Sequence, residues 1–141
     1  IFKEYGEERL ASRIAKSIKE MTIMNTIADL REAIRRCTPP NHRDRTFARI
    51  FQALRIAVNQ ELGILEQFLT KFIDFLRPGG RIVIISYHSL EDRLVKHSFK
   101  KLASGGTLDI LTKRPITATE KERKKNRRAR SAKLRAAVKV T

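Results

Sequence analysis

Apolar residues recur every three or four positions through the first half of the chain, then give way to short β-branched runs in the second. From Tyr5 to Met21, Leu10, Ile14 and Ile18 repeat at four-residue spacing, with Ala11 and Ala15 on the same face, which predicts an amphipathic helix. Its Glu residues come early and its Lys residues late, as the helix dipole favours. Thr26 with Asp29 predicts a capping box that opens a second helix through Leu30, Ile34 and Arg36. Thr38-Pro39-Pro40-Asn41 stops it, because proline cannot continue a helix and pushes the residue before it towards extended backbone. A long helix is expected from Asp44 to Leu62, with Phe47, Ile50, Phe51, Leu54, Val58 and Leu62 as its stripe. Gly63 is expected to mark a bend, after which the pattern continues to Leu76.

Past the Arg77-Pro78-Gly79-Gly80 turn the period changes. Arg81-Ile82-Val83-Ile84-Ile85-Ser86 reads as a strand buried on both faces. Ser89 with Asp92 is expected to cap a helix running to about Leu102, ended by Gly105-Gly106. Leu108 to Thr112 reads as a second strand, a short helix follows Thr119, and Leu134, Ala136, Val138 and Val140 alternate as a third strand. This order is that of the second half of an open α/β sheet, and a three-stranded remnant would leave an apolar face uncovered. The expectation is that strands belonging upstream of Ile1 are missing, since the chain starts without Met at a point that looks internal.

Charge adds a partner. Of 141 residues, 31 are Lys or Arg and 15 are Asp or Glu, for a net charge of +16. From Lys113 to Thr141 there are 12 basic and 2 acidic residues, so most of the excess sits in that stretch. Such asymmetry favours a polyanion, with RNA or DNA leading and a solvated basic tail as the plainer reading. Arg127, Arg128, Arg130, Lys133 and Arg135 run directly into the third strand, which would hold guanidinium forks at fixed positions for phosphates. One cysteine, Cys37, gives no disulfide framework, and no apolar run approaches a membrane span. A reducing, cytoplasmic setting fits.

Candidate chemistry is sparse. Tyr87 and His88 follow a buried strand, where open α/β sheets place their sites, and offer a ring for stacking beside an imidazole. The plainer reading is that this turn merely caps the next helix. Gln52, Arg55 and Asn59 form a polar ladder beside the long helix's stripe, suited to a nucleotide or to interhelical bonding. Thr38-Pro39-Pro40 superficially resembles the Pro-Pro-aromatic loop of amino-group methyltransferases, but Asn41 replaces the aromatic and the segment follows a helix. His42, His88 and His97 lack metal-ligand spacing, and no GxGxxG phosphate loop occurs.

Several blocks together carry a resemblance: Tyr5-Gly6-Glu7-Glu8-Arg9, Phe51 to Leu62, Pro78-Gly79-Gly80-Arg81, Ser86-Tyr87-His88-Ser89-Leu90-Glu91-Asp92-Arg93, Thr112-Lys113-Arg114-Pro115-Ile116 and Arg128 to Arg135. In this order they resemble the bacterial 16S ribosomal RNA cytosine-N4 methyltransferase family over almost the whole chain. Departures are Tyr87 where Phe is usual, Arg128 where Pro is expected, and a divergent segment from Thr38 to Arg49. The resemblance implies an α/β enzyme with a helical substrate-recognition domain, here residues 1–63, inserted in a class I (Rossmann-like) methyltransferase sheet. Residues 64–141, with the basic segment 113–135, would be the C-terminal part of that sheet. It also implies S-adenosylmethionine as cofactor, with a binding motif absent from this chain, and 16S ribosomal RNA or the small ribosomal subunit as partner. Arg55 and Asn59 would join the C-terminal cluster in contacting RNA, and Tyr87 and His88 become weak catalytic candidates. The missing N-terminal half of the sheet and a second copy of the chain are further partners it allows. A non-catalytic RNA-binding or ribosome-associated module remains the alternative. A helix-turn-helix DNA binder is disfavoured, because the Pro39-Pro40 break is too long and stiff for that turn.

Overall fold

The computed structural model describes residues 1–140, which divide into two compact units, one of residues 1–61 and one from residue 62 onward. The first unit is helical: α1 (Ala11–Lys19), α2 (Ile27–Cys37), α3 (Arg43–Asn59), with a single 3-10 turn at Pro40–His42. Ile14, Ile34 and Ile50, one from each helix, are fully buried, and Leu10, Ile18, Leu30, Phe47 and Leu54 pack around them. The α1–α2 crossing is close enough for the Ser17 hydroxyl to donate to the Ala33 carbonyl at 2.7 Å.

α1 is shorter than its periodicity implies. The preceding residues are turns in which Glu7 takes a φ of 47°. Gly6 explains why: a Cβ there would lie 2.7 Å from the Phe2 carbonyl and 3.0 Å from the Arg49 carbonyl of α3. The capping box at Thr26 and Asp29 forms as its spacing implies, with the Thr26 hydroxyl accepting from the Asp29 amide and the Asp29 carboxylate accepting from the Thr26 amide. α3 ends at Gln60, in left-handed backbone with φ 51°, three residues before the bend expected at Gly63. α4 (Glu61–Lys71) then runs straight through Gly63. A glycine inside a helix costs about 1 kcal/mol relative to alanine but does not force a bend.

The second unit contains β1 (Arg81–Ser86), α5 (Ser89–Ser104), β2 (Leu108–Ile110), β3 (Ile116–Thr117), α6 (Glu120–Lys125) and β4 (Lys133–Lys139), with 3-10 segments at Phe72–Phe75 and Arg127–Ser131. All three pairings run through β4, antiparallel: β1 and β2 flank it, and β3 pairs with its start. β1 and β2 are therefore parallel to each other with β4 between them. Leu69, Phe72, Val95 and Phe99 cover one sheet face, against Ile82, Leu108 and Ala137. Lys139 fixes the end of the Phe72–Phe75 turn by donating to the Ile73 and Leu76 carbonyls.

The other face is open. Val83 and Ile85 are 57% and 51% exposed, opposite Ala136 and Leu134 in the ladder. β1 is thus buried on one face among the described residues, not on both, because α4 and α5 supply a helical layer on one side only. β3 escapes sequence reading because two residues carry no period.

Candidate nucleic-acid interface

Ser86 ends β1 deep in the unit, and the next residue, Tyr87, is 54% exposed. His88, buried, is the N-cap of α5: its Nδ1 accepts from the Glu91 amide at 3.3 Å. Glu91 reaches back, its Oε2 accepting from the amides of Tyr87 at 2.8 Å and His88 at 3.3 Å. Burial pushes the Glu91 carboxyl up, but the adjacent His88 imidazole and the bond from the Tyr87 amide outweigh it and hold the group below the usual carboxylate range. His88 Nε2 lies 3.3 Å from Glu91 Oε1 but out of hydrogen-bond alignment, so this buried nitrogen has no hydrogen-bond partner among the described residues.

The cap expected of Ser89 and Asp92 is therefore made by His88 and Glu91, one residue earlier. Asp92 faces the sheet instead. Arg135 of β4 donates to it twice, Nε to Oδ1 at 2.7 Å and Nη2 to Oδ2 at 3.2 Å, and Lys133 Nζ lies 3.5 Å away. Desolvation raises the Asp92 carboxyl, yet Arg135 and then Lys133 lower it further, leaving it below its ordinary value. Arg135 is only 7% exposed. Expected among the RNA contacts, Arg135 has its guanidinium fork filled by a carboxylate and joins α5 to β4 in the interior.

The three arginines of the preceding turn face solvent. Asn126 caps the Arg127–Ser131 turn, its Oδ1 accepting from the Arg128 amide at 3.0 Å, and buried Ala129 pins the turn down. Arg127, Arg128 and Arg130 stay exposed around that anchor, and Lys133 is half-buried. α6, capped by Thr119, adds Arg123, Lys124 and Lys125 beside them. In the helical unit, Arg55 is bonded to Glu61 at 2.7 and 3.0 Å, and Asn59 donates to the same carboxylate at 3.3 Å. Polar bonding within the helix pair thus engages both residues. The larger cationic grouping in that unit is Arg9, Arg13, Arg45 and Arg49 around a pocket. The four-residue spacing within each pair is the sequence signal for it.

These features define an α/β protein whose central strand is entered through an ordered cationic turn. No described helix is long and apolar enough to cross a membrane. The chain belongs to the MraW methylase family, whose model matches residues 1–140. It is 54% identical to the ribosomal RNA small subunit methyltransferase H of Trichormus variabilis, over 99% of this chain and 46% of that protein. It is 51% identical to the protein of that name from Synechocystis sp., again over 99% and 46%, and 52% identical to that of Kosmotoga olearia, over 99% and 48%. The chain spans about half the length of the curated relatives it matches.

Proposed function

We propose that the chain is the RNA-recognising and sheet-completing part of an S-adenosylmethionine-dependent enzyme that methylates N4 of a cytosine in 16S ribosomal RNA. The observation that carries this reading is the ordered turn presenting Arg127, Arg128 and Arg130, in a chain whose half-identical relatives are named as methyltransferases of small-subunit ribosomal RNA. Phosphate contacts of this kind position an RNA without reading its sequence. In the same reading the helical unit is an insertion for substrate recognition, and β1, β2 and β4 belong to a class I sheet. The uncovered face with Val83 and Ile85 fits packing against the remainder of relatives about twice as long.

S-adenosylmethionine does not fit the residues at the carboxyl end of β1. The first amides of α5 are already capped by His88, Glu91 bonds back to the Tyr87 and His88 amides, and Asp92 is taken by Arg135. That leaves neither a glycine cradle nor a spare acidic group for a ribose, so no step through the cofactor is assigned to this chain. Its own contribution lies with the substrate. Cytosine N4 is a poor nucleophile because its lone pair is delocalised into the ring, so the base must be taken out of the stack and held in line for attack. Tyr87 offers an exposed ring for stacking, and His88 Nε2, lacking a hydrogen bond, offers a polar contact for the base.

The experiment is methyl transfer by the full-length parent from isotope-labelled cofactor to 16S ribosomal RNA, followed by nucleoside mass spectrometry. N4-methylcytidine is the expected product. Label on another base, or none, overturns the reading.

A further inference from the structure

A pocket of about 410 Å³ opens in the second unit between the C-terminal half of α5 and the edge strand β2. That size falls within the roughly 300–1,000 Å³ of small-molecule sites. Its floor is apolar, made by Phe99, Leu108 and Ile110, and the small side chain of Ala103 leaves room above it. Its rim is cationic: Lys96 and Lys100, one turn apart on α5, are joined by Lys113 from the segment after β2. All three lysines are exposed and form no ion pair among the described residues, and Asp109 is the one acidic residue lining the pocket. Buried Arg135 completes the wall. Its Nε and Nη2 donate to Asp92, and its guanidinium makes no other hydrogen bond among the described residues, which leaves the N–H groups of Nη1 for a ligand.

We infer that this pocket holds one unstacked nucleotide of the bound RNA, at a position in the strand other than the methylated cytosine. An inorganic anion gains nothing from the apolar floor, and an apolar ligand gains nothing from the lysines. A nucleotide joins a flat base to a phosphate and uses both. The base lies on Phe99, Leu108 and Ile110, the phosphate meets the three lysines, and Arg135 Nη1 donates to a ring nitrogen or carbonyl oxygen. Every base offers such an acceptor, so the site anchors the strand without selecting a sequence. Lys96 lies eight residues along α5 from His88, about 12 Å at 1.5 Å per residue, which sets the pocket apart from the Tyr87–His88 elbow. It is closer along the chain to the cationic turn: Arg135 follows Ser131 by four residues, about 13 Å of extended strand. The inference rests on the RNA-substrate reading and adds a base-holding anchor to the phosphate contacts of that turn.

Fluorescence anisotropy of the full chain tests it with two hexamers of equal charge, a uridine hexaribonucleotide and an abasic one that keeps ribose and phosphate alone. The uridine hexamer is expected to bind at least about tenfold more tightly. Ala103→Phe, which intrudes on the floor without changing charge, is expected to weaken the uridine hexamer alone and so narrow that gap. Lys96→Gln with Lys100→Gln, on exposed positions, is expected to weaken both hexamers and to flatten the salt dependence. Lysine acetylation read by mass spectrometry needs no variant: the uridine hexamer should protect Lys96, Lys100 and Lys113 more strongly than the abasic hexamer or a hexamer of glutamate does. An unchanged gap in a folded Ala103→Phe protein overturns the inference. If that variant lowers the melting temperature, the acetylation pattern decides, and equal protection by the three hexamers, or none, overturns it. Should Arg127→Glu with Arg128→Glu weaken binding while the pocket variants do not, the pocket fails and the RNA reading stands. Failure of the unaltered chain to bind either RNA hexamer overturns both.

Discussion

Asp92 of α5 and Arg135 of β4, 43 residues apart, are joined by two hydrogen bonds of 2.7 and 3.2 Å in the interior of the second unit. The pair ties the helical layer to the sheet's central strand at the point where the cationic turn enters it. Removing one partner strands the other charge, which for buried pairs costs about 3–5 kcal/mol. Because the Asp92 side chain keeps a slight opening to water, Asp92→Asn is expected at the low end, about 3 kcal/mol, in urea unfolding. Replacing both residues with apolar ones of similar volume should recover most of the loss.

The same pair sets an acid limit. Asp92 titrates below its ordinary value in the folded chain, so its contribution is complete above the unfolded value of about 3.9 and fades as pH falls through the folded one. The stability difference between the unaltered chain and Asp92→Asn is expected to be constant at neutral pH and to shrink below about pH 4. A gap that instead widens on acidification would show that the carboxylate is not what stabilises this contact.

His88 is both a cap and the proposed contact for the base, and two substitutions separate these roles. His88→Ala should lower helix stability by about 1 kcal/mol, and His88→Asn, a good N-cap, should restore it. In the full-length parent, both are expected to slow single-turnover methylation at least about tenfold, equivalent to about 1.4 kcal/mol. A normal rate for His88→Asn reduces the residue to its cap.

For the cationic turn, Arg127→Glu with Arg128→Glu in the parent should weaken ribosomal RNA binding. The slope of log affinity against log salt should fall by about one for each phosphate that the variant no longer neutralises. An unchanged slope means these side chains are merely solvated.

Gly6→Ala tests the close approach before α1. With the Phe2 carbonyl 2.7 Å from the added carbon, the turn must move off α3, and a loss of about 1–3 kcal/mol is expected in the helical unit's unfolding.

The features legible in the sequence are local ones. Thr26 and Asp29 signal their box within four residues, and the Pro39-Pro40 stop needs no distant partner. The strand-to-helix turn at Tyr87 is also legible, but its cap falls one residue before the expected one, since a histidine accepting through Nδ1 is an uncommon cap beside an available serine. Arg135 resembles an RNA contact because it follows three other arginines in sequence. Only the β4 register turns it inward to Asp92, and alternation along a strand does not reveal which helix waits on the buried side. Glu8 lies off the apolar stripe of α1 and so reads as solvent-facing, whereas the Gly6 turn folds it under Arg49.

Among the described residues each ladder of the sheet passes through β4, so within this chain neither β1 nor β2 has a hydrogen-bonded neighbour until β4 has been made. About 50 residues separate the end of β1 from the start of β4. At ribosomal elongation rates that interval lasts roughly 2–10 s. Throughout it the β-branched Ile82–Ile85 run lacks the one strand that pairs with it among the described residues, and unpaired β-branched edges are the condition in which such segments recruit foreign strands. The sequence places Arg81 immediately before this run and Arg77 four residues further back, charges of the kind that flank aggregation-prone strands and oppose their pairing with other chains.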